Sequence, residues 1–139
     1  MIWTLLSLAC GAKKSTLPTQ EIQVAELEIE VEIADDPAER HQGLMYRQKL
    51  DKDAGMLFVY PEASPRSFWM ENTSIPLSIA FMDETGRVLN IEDMTPYDRS
   101  SVPSAGPAMY ALEMNQGWFK AHQVGVGSVV VGLPGPSES

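Results

Sequence analysis

A small, mostly β member of the α+β class, built on an antiparallel barrel-like sheet, is the fold this sequence predicts. Three observations carry that expectation. Aliphatic and acidic residues alternate strictly from Glu26 to Ile33. Several short apolar runs follow, separated by Pro, Gly and Asp turn signals. Helical signals are confined to one main helix at 36–48 and a short helical turn at 117–123. Many short strands with little helix is the pattern of a small barrel or curled sheet.

In chain order, residues 1–10 form an apolar leader-like segment and 11–20 (GAKKSTLPTQ) a small, polar tether. One globular domain is expected over 21–133, with a flexible tail at 134–139. In the first strand Leu27, Ile29, Val31 and Ile33 share one face, and Glu26, Glu28, Glu30 and Glu32 share the other. That acid row reads as a solvated sheet face; calcium sites draw their ligands from converging loops instead. Asp36-Pro37-Ala38-Glu39 then supplies an N-cap, a proline at the first helical position and an acid at the third. Along a helix to Gln48, residues Arg40, Gly43, Leu44 and Arg47 would form one stripe. A mid-helix glycine costs about 1 kcal/mol relative to alanine, so Gly43 implies a close backbone approach there.

Strands are expected at Gly55–Tyr60, Ser67–Thr73 and Leu77–Met82, with a Ser74-Ile75-Pro76 turn between the last two. Asp83-Glu84-Thr85-Gly86 reads as a hairpin turn into Arg87–Asp93. Met94–Pro107 contains three prolines and no apolar period, and it is long enough to rim a site. Ala108–Asn115 and Ser128–Leu133 complete the strands.

A formal net charge of −9, from 19 acidic and 10 basic side chains, repels phosphate backbones and disfavours nucleic acid as a partner. No run of about 18 apolar residues is present to form a spanning helix. The single cysteine, Cys10, excludes an intrachain disulfide. Met1–Ala9 followed by Cys10-Gly11-Ala12-Lys13-Lys14 resembles the end of a bacterial lipoprotein signal peptide, in which the cysteine is lipidated. Ser7 stands where that pattern has Leu, and no basic residue precedes the apolar run. The resemblance implies an extracytoplasmic, periplasm-facing protein held to a bacterial membrane by a lipid on Cys10 alone.

A second resemblance covers most of the folded part. Arg40, Gly43-Leu44-Met45, Arg47, Gly55-Met56-Leu57-Phe58, Phe68-Trp69-Met70, Asn72-Thr73, Pro76-Leu77, Phe81, Leu112-Glu113 and Gly117 together resemble the bacterial and archaeal domain-of-unknown-function family 192. That family is defined by sequence and implies no activity. Glu71 and Ser78 stand where its pattern has a basic residue and an aspartate.

Catalytic signatures such as Gly-x-Ser-x-Gly, a Gly-rich phosphate loop or His-Glu-x-x-His are missing. His41 and His122 are not spaced as metal ligands, so no metal or other cofactor is expected. The methionines are scattered over several elements, as core filling requires, rather than gathered as soft ligands. Candidate binding residues are Arg40, Arg47, Trp69, Asn72, Thr73 and Glu113. Arg40 and Arg47 could fork onto a carboxylate or phosphate, or pair with the chain's own Glu71, Asp53 or Glu113. Trp69 beside the amide, hydroxyl and carboxylate groups suits a sugar face, and equally suits a core ring flanked by turn hydrogen bonds. The expectation is a non-enzymatic binding or envelope-accessory module for a small ligand or glycan. The alternatives are a hydrolase-like enzyme with a carboxylate–arginine site, or an envelope assembly partner.

Overall fold

The computed structural model describes residues 17–139. The lipidation candidate Cys10 and the leader-like segment lie outside the described residues.

The strands are β1 (Thr19–Val24), β2 (Leu27–Ala34), β3 (Gly55–Ser64), β4 (Ser67–Phe68), β5 (Leu77–Met82), β6 (Val88–Met94), β7 (Val102–Pro103), β8 (Ala108–Asn115) and β9 (Val130–Val131). Helices α1 (Pro37–Gln42) and α2 (Trp118–Ala121) are both short. Seven strands form one curled, half-barrel sheet in the order β6-β5-β8-β3-β2-β1-β9, and β4 pairs with β7 beside it. The two edges of the large sheet approach each other: Arg87 and Val129 form a bridge, Val88 N–H donates to Ser128 O at 2.8 Å, and Val130 N–H donates to Gly86 O at 2.9 Å.

The alternation in β2 works as expected. Ile29, Val31 and Ile33 enter the inner core with Ile22, Val24, Leu57, Leu112, Met114 and Trp118. The glutamates of β2 face away from it. A second apolar cluster covers the opposite face of the central strands, where Met56 and Phe58 of β3, Leu77, Ile79 and Phe81 of β5 and Ala111 of β8 meet Leu44, Met70 and Ile75. The central strands are therefore buried on both sides, which is why β5 and β8 are apolar almost throughout. Met45, Met56, Met70, Met82, Met94, Met109 and Met114 are all buried, and all but Met45 fill these two layers.

Three expectations are corrected. The main helix expected over 36–48 is only α1. Asp36 caps it as foreseen, its Oδ1 accepting from Glu39 N–H at 2.8 Å. Gly43 ends it, with φ +49 and its N–H on Glu39 O at 2.9 Å. Tyr46, with φ +65, then gives its N–H to Asn72 O at 2.9 Å, so a tertiary bond replaces the helical one. The glycine thus answers a positive φ rather than a close backbone, and what lies nearest an added Cβ is the Phe58 ring at 3.3 Å. Second, the sheet is not wholly antiparallel, because the connection through α1 returns the chain to lay β3 parallel to β2. Third, the strand expected at Ser67–Thr73 stops at Phe68. Its continuation turns instead, with Thr73 N–H donating to Met70 O and Asn72 at φ +53.

The hairpin at 83–86 forms as expected: Asp83 Oδ1 accepts from Thr85 N–H, Thr85 Oγ1 and Arg87 N–H. Gly55 marks the tightest strand contact, since a Cβ there would lie 2.2 Å from Met114 Sδ and 2.6 Å from Glu113 O. The segment 134–139 lies along β3: Tyr110 Oη donates to Pro134 O, and Ser137 N–H to Tyr60 O at 3.2 Å.

Candidate functional site

On the outer face of the sheet, a hollow of about 350 Å³ opens between α1, the turn after it and the β4 segment. Four of the six candidate residues line it: Arg40, Trp69, Thr73 and Glu113. The other two do not. Arg47 turns away and grips Glu32 with both guanidinium nitrogens, at 2.8 and 2.9 Å. Because the helix stops at Gln42, Arg40 and Arg47 no longer share a stripe. Asn72 sits just outside the hollow, its Nδ2 donating to Tyr46 Oη at 3.0 Å.

Glu113 forms the floor. It belongs to the central strand β8, directly across from Met56 on β3 and Ile79 on β5. The pleat turns its side chain to the outer apolar layer, on the same face as Ala111. It is 5% exposed, and burial pushes its carboxyl up to about 8. Among the described residues no hydrogen bond or ion pair satisfies that carboxyl, and no buried polar atom is sealed off without a partner. The group therefore opens onto the hollow. A buried acid of this kind ordinarily finds an internal partner.

The walls are aromatic. Phe58, Tyr60, Phe68 and Trp69 all line the hollow. Phe58 and Phe68 meet edge to face with centroids 4.8 Å apart. Trp69 is 41% exposed, so it is not a core ring. Trp118 takes that role, its Nε1 donating to Asp53 Oδ1 at 3.0 Å while its ring stacks on His122. Tyr60 lies between two guanidinium groups, Arg66 at 3.7 Å and Arg40 at 4.8 Å from its ring centre. Burial raises the Tyr60 phenol, the arginines partly offset this, and Glu113 adds to it.

Arg40 donates to Val59 O at 3.0 Å and Ser139 O at 2.8 Å. Neither partner is an Asp or Glu side chain. Thr73 is buried and its hydroxyl donates to Glu71 O at 2.9 Å, which shapes the turn beneath Trp69. His41 is exposed at the rim. Period-2 reading of Met56, Phe58 and Tyr60 could have placed the missed rings on the Glu113 face. The two departures from the family pattern have separate partners: Ser78 Oγ donates to Asp93 at 2.7 Å and accepts from Gly117 N–H, whereas Glu71 pairs with Arg99 at 3.6 Å.

A more open recess runs along the acid face of β2, lined by Glu28, Glu30, Glu32, Asp51 and Asp53. On the neighbouring strand β1, a hydrogen bond to and repulsion by Glu28 raise the Glu21 carboxyl. No group of three or more metal-ligating side chains is arranged to hold a metal among the described residues.

These features define a class: a small curled β-domain presenting a ligand-sized hollow with a buried acid at its base. Residues 19–132 match the family DUF192, described as uncharacterized ACR, and the chain belongs to that family. Two crystal structures are similar. One, described as a "putative transcription regulator" from Sinorhizobium meliloti 1021, is 33% identical with a TM-score of 0.80, covering 85% of this chain and 96% of that one. The other, a protein of unknown function from Novosphingobium aromaticivorans DSM 12444, is 35% identical with a TM-score of 0.78, covering 84% and 86%. No curated protein is a significant match.

Proposed function

We propose that the chain is a non-enzymatic binding module whose hollow takes a small uncharged ligand with one apolar face and several hydroxyl or amide groups, a sugar unit of an envelope glycan being the best fit. The observation that carries this reading is the Glu113 carboxyl, buried, facing the hollow and lacking a protein partner. Near neutral pH it is protonated, so it offers a donor and an acceptor without a charge. Trp69 supplies a flat apolar wall for the less polar side of a ring.

A raised carboxyl can also serve as a general acid, which supports the hydrolase-like alternative. Glycoside hydrolysis ordinarily needs two carboxyl groups flanking the bond. Glu113 is the one acid among the described residues lining the hollow, and that favours binding over turnover.

The lipid-anchored, extracytoplasmic location suggested by Met1–Lys14 belongs to the same proposal, because it would bring the hollow to envelope glycans. Screening envelope glycan fragments and small metabolites by thermal shift tests the binding reading. A rise in melting temperature that Trp69→Ala abolishes is expected; no shift with any compound, or turnover that Glu113→Gln abolishes, would overturn it. Membrane fractionation of the native protein against Cys10→Ser tests the anchor. Equal recovery of both in the soluble cytosol would refute it.

A further inference from the structure

We propose that the site extends beyond the hollow, and that three exposed aromatic rings beside it, Tyr46, Trp69 and Tyr97, form a platform along which a neutral glycan chain lies while one of its sugars occupies the hollow. This rests on the binding reading above and names the ligand class further: an oligosaccharide rather than a single small molecule.

The rings are exposed to an unusual degree for their size, Tyr46 by 75%, Tyr97 by 65% and Trp69 by 41%. The segments that carry them are tied together through the backbone of a single turn. Tyr46 N–H donates to Asn72 O at 2.9 Å, and Asn72 Nδ2 returns a bond to Tyr46 Oη at 3.0 Å. Tyr97 N–H donates to Thr73 O at 3.1 Å, and Met70 N–H, next to Trp69, donates to Asp98 O at 2.8 Å. The platform is continuous with the hollow, because Trp69, Thr73 and Met45 belong to the lining.

Its backbone is held in an uncommon state. Tyr46, Asn72 and Tyr97 have φ of +65°, +53° and +63°, three of the five non-glycine residues with positive φ in the described chain. Bulky side chains rarely adopt that region, and such residues gather where surrounding structure imposes a functional geometry. Here the strain serves to present two tyrosine rings at the surface instead of burying them.

The chemistry selects the occupant. Phenol and indole rings carry an apolar face and a polar tip, and the Asn72 amide meets the Tyr46 hydroxyl, a combination suited to the alternating apolar faces and hydroxyl edges of a sugar chain. The guanidinium over the Trp69 ring, Arg99 at 5.8 Å from its centre, is already paired with Glu71. With a net charge of −9 on the protein, a polyanionic chain is disfavoured.

The test uses N-acetylglucosamine and its β-1,4-linked dimer, trimer and tetramer, with calorimetric affinities on the full-length protein. Affinity should rise about tenfold or more from the monomer to the tetramer. Tyr46→Ser combined with Tyr97→Ser should remove that rise and leave the monomer affinity unchanged, whereas Tyr46→Phe with Tyr97→Phe should keep most of it. Melting temperatures of both double variants establish that the fold is intact. Monomer binding without a length-dependent gain would overturn the platform and leave the hollow standing. No binding by any oligomer would overturn both. A concentration-dependent dimer that Tyr97→Ser dissociates would also overturn the platform, showing that a second copy covers the rings.

Discussion

Replacing Glu113 by glutamine should stabilise the protein, and by an amount that grows with pH. The buried carboxyl titrates near 8 in the folded chain against an ordinary value of 4.5. The folded state therefore holds this proton more tightly than the unfolded state does. Its stabilising contribution is complete below pH 4.5 and is lost as pH rises toward 8. At about 1.4 kcal/mol per pH unit, the loss reaches about 3 kcal/mol by pH 7 and about 5 kcal/mol above pH 8. Glutamine has nearly the same shape and does not titrate. Urea unfolding of both proteins at pH 4.5, 7 and 9 isolates this group, since the remaining titrations are common to both. The two should agree within about 1 kcal/mol at pH 4.5. The variant should lead by about 3 kcal/mol at pH 7, which is roughly 10 °C in melting temperature for a domain of this size. A difference independent of pH would refute the reasoning, because it would mean that the carboxyl titrates alike in the folded and unfolded chain. Enhanced stability together with weakened ligand binding is the expected signature of a group retained for function.

Gly55→Ala should destabilise by about 3 kcal/mol or more in denaturant unfolding, because the new Cβ meets Met114 Sδ at 2.2 Å and backbone Glu113 O at 2.6 Å; tolerance of alanine would contradict the β3–β8 register. Arg47→Ala should cost about 1 kcal/mol through the loss of its two-pronged contact with the half-buried Glu32, while ligand affinity measured by calorimetry stays unchanged. Trp69→Ala should leave the melting temperature within about 2 °C, since its ring is exposed, and weaken binding at least tenfold. Equal losses of stability and affinity would return Trp69 to a packing role.

The strands were legible wherever one physical pattern dominated. Alternation located β2, and Asp83–Gly86 located the β5–β6 hairpin. Local signals failed where distant groups decide the backbone. Residues 43–48 have an acceptable helical pattern, but the tertiary bond from Tyr46 N–H to Asn72 O and the positive φ of Gly43 end the helix at Gln42. The parallel pairing of β2 with β3 depends on how the chain crosses through α1, which no local pattern encodes. For the site, residue chemistry singled out Arg40, Trp69, Thr73 and Glu113, and the fold brings them to one hollow. Arg47 was grouped with them by a helical spacing that the chain does not keep. Tyr60, Phe58 and Phe68 were missed as wall residues because apolar strand rings look alike in sequence whether they face a core or a cavity.

A direct check is available through the carboxyl carbon of Glu113, followed by ¹³C NMR across pH with and without N-acetylglucosamine oligomers. The account predicts a midpoint near 8 in the free protein, moving higher when a sugar displaces water and accepts the proton's hydrogen bond. A midpoint near 4.5, unchanged by any oligomer, would contradict it.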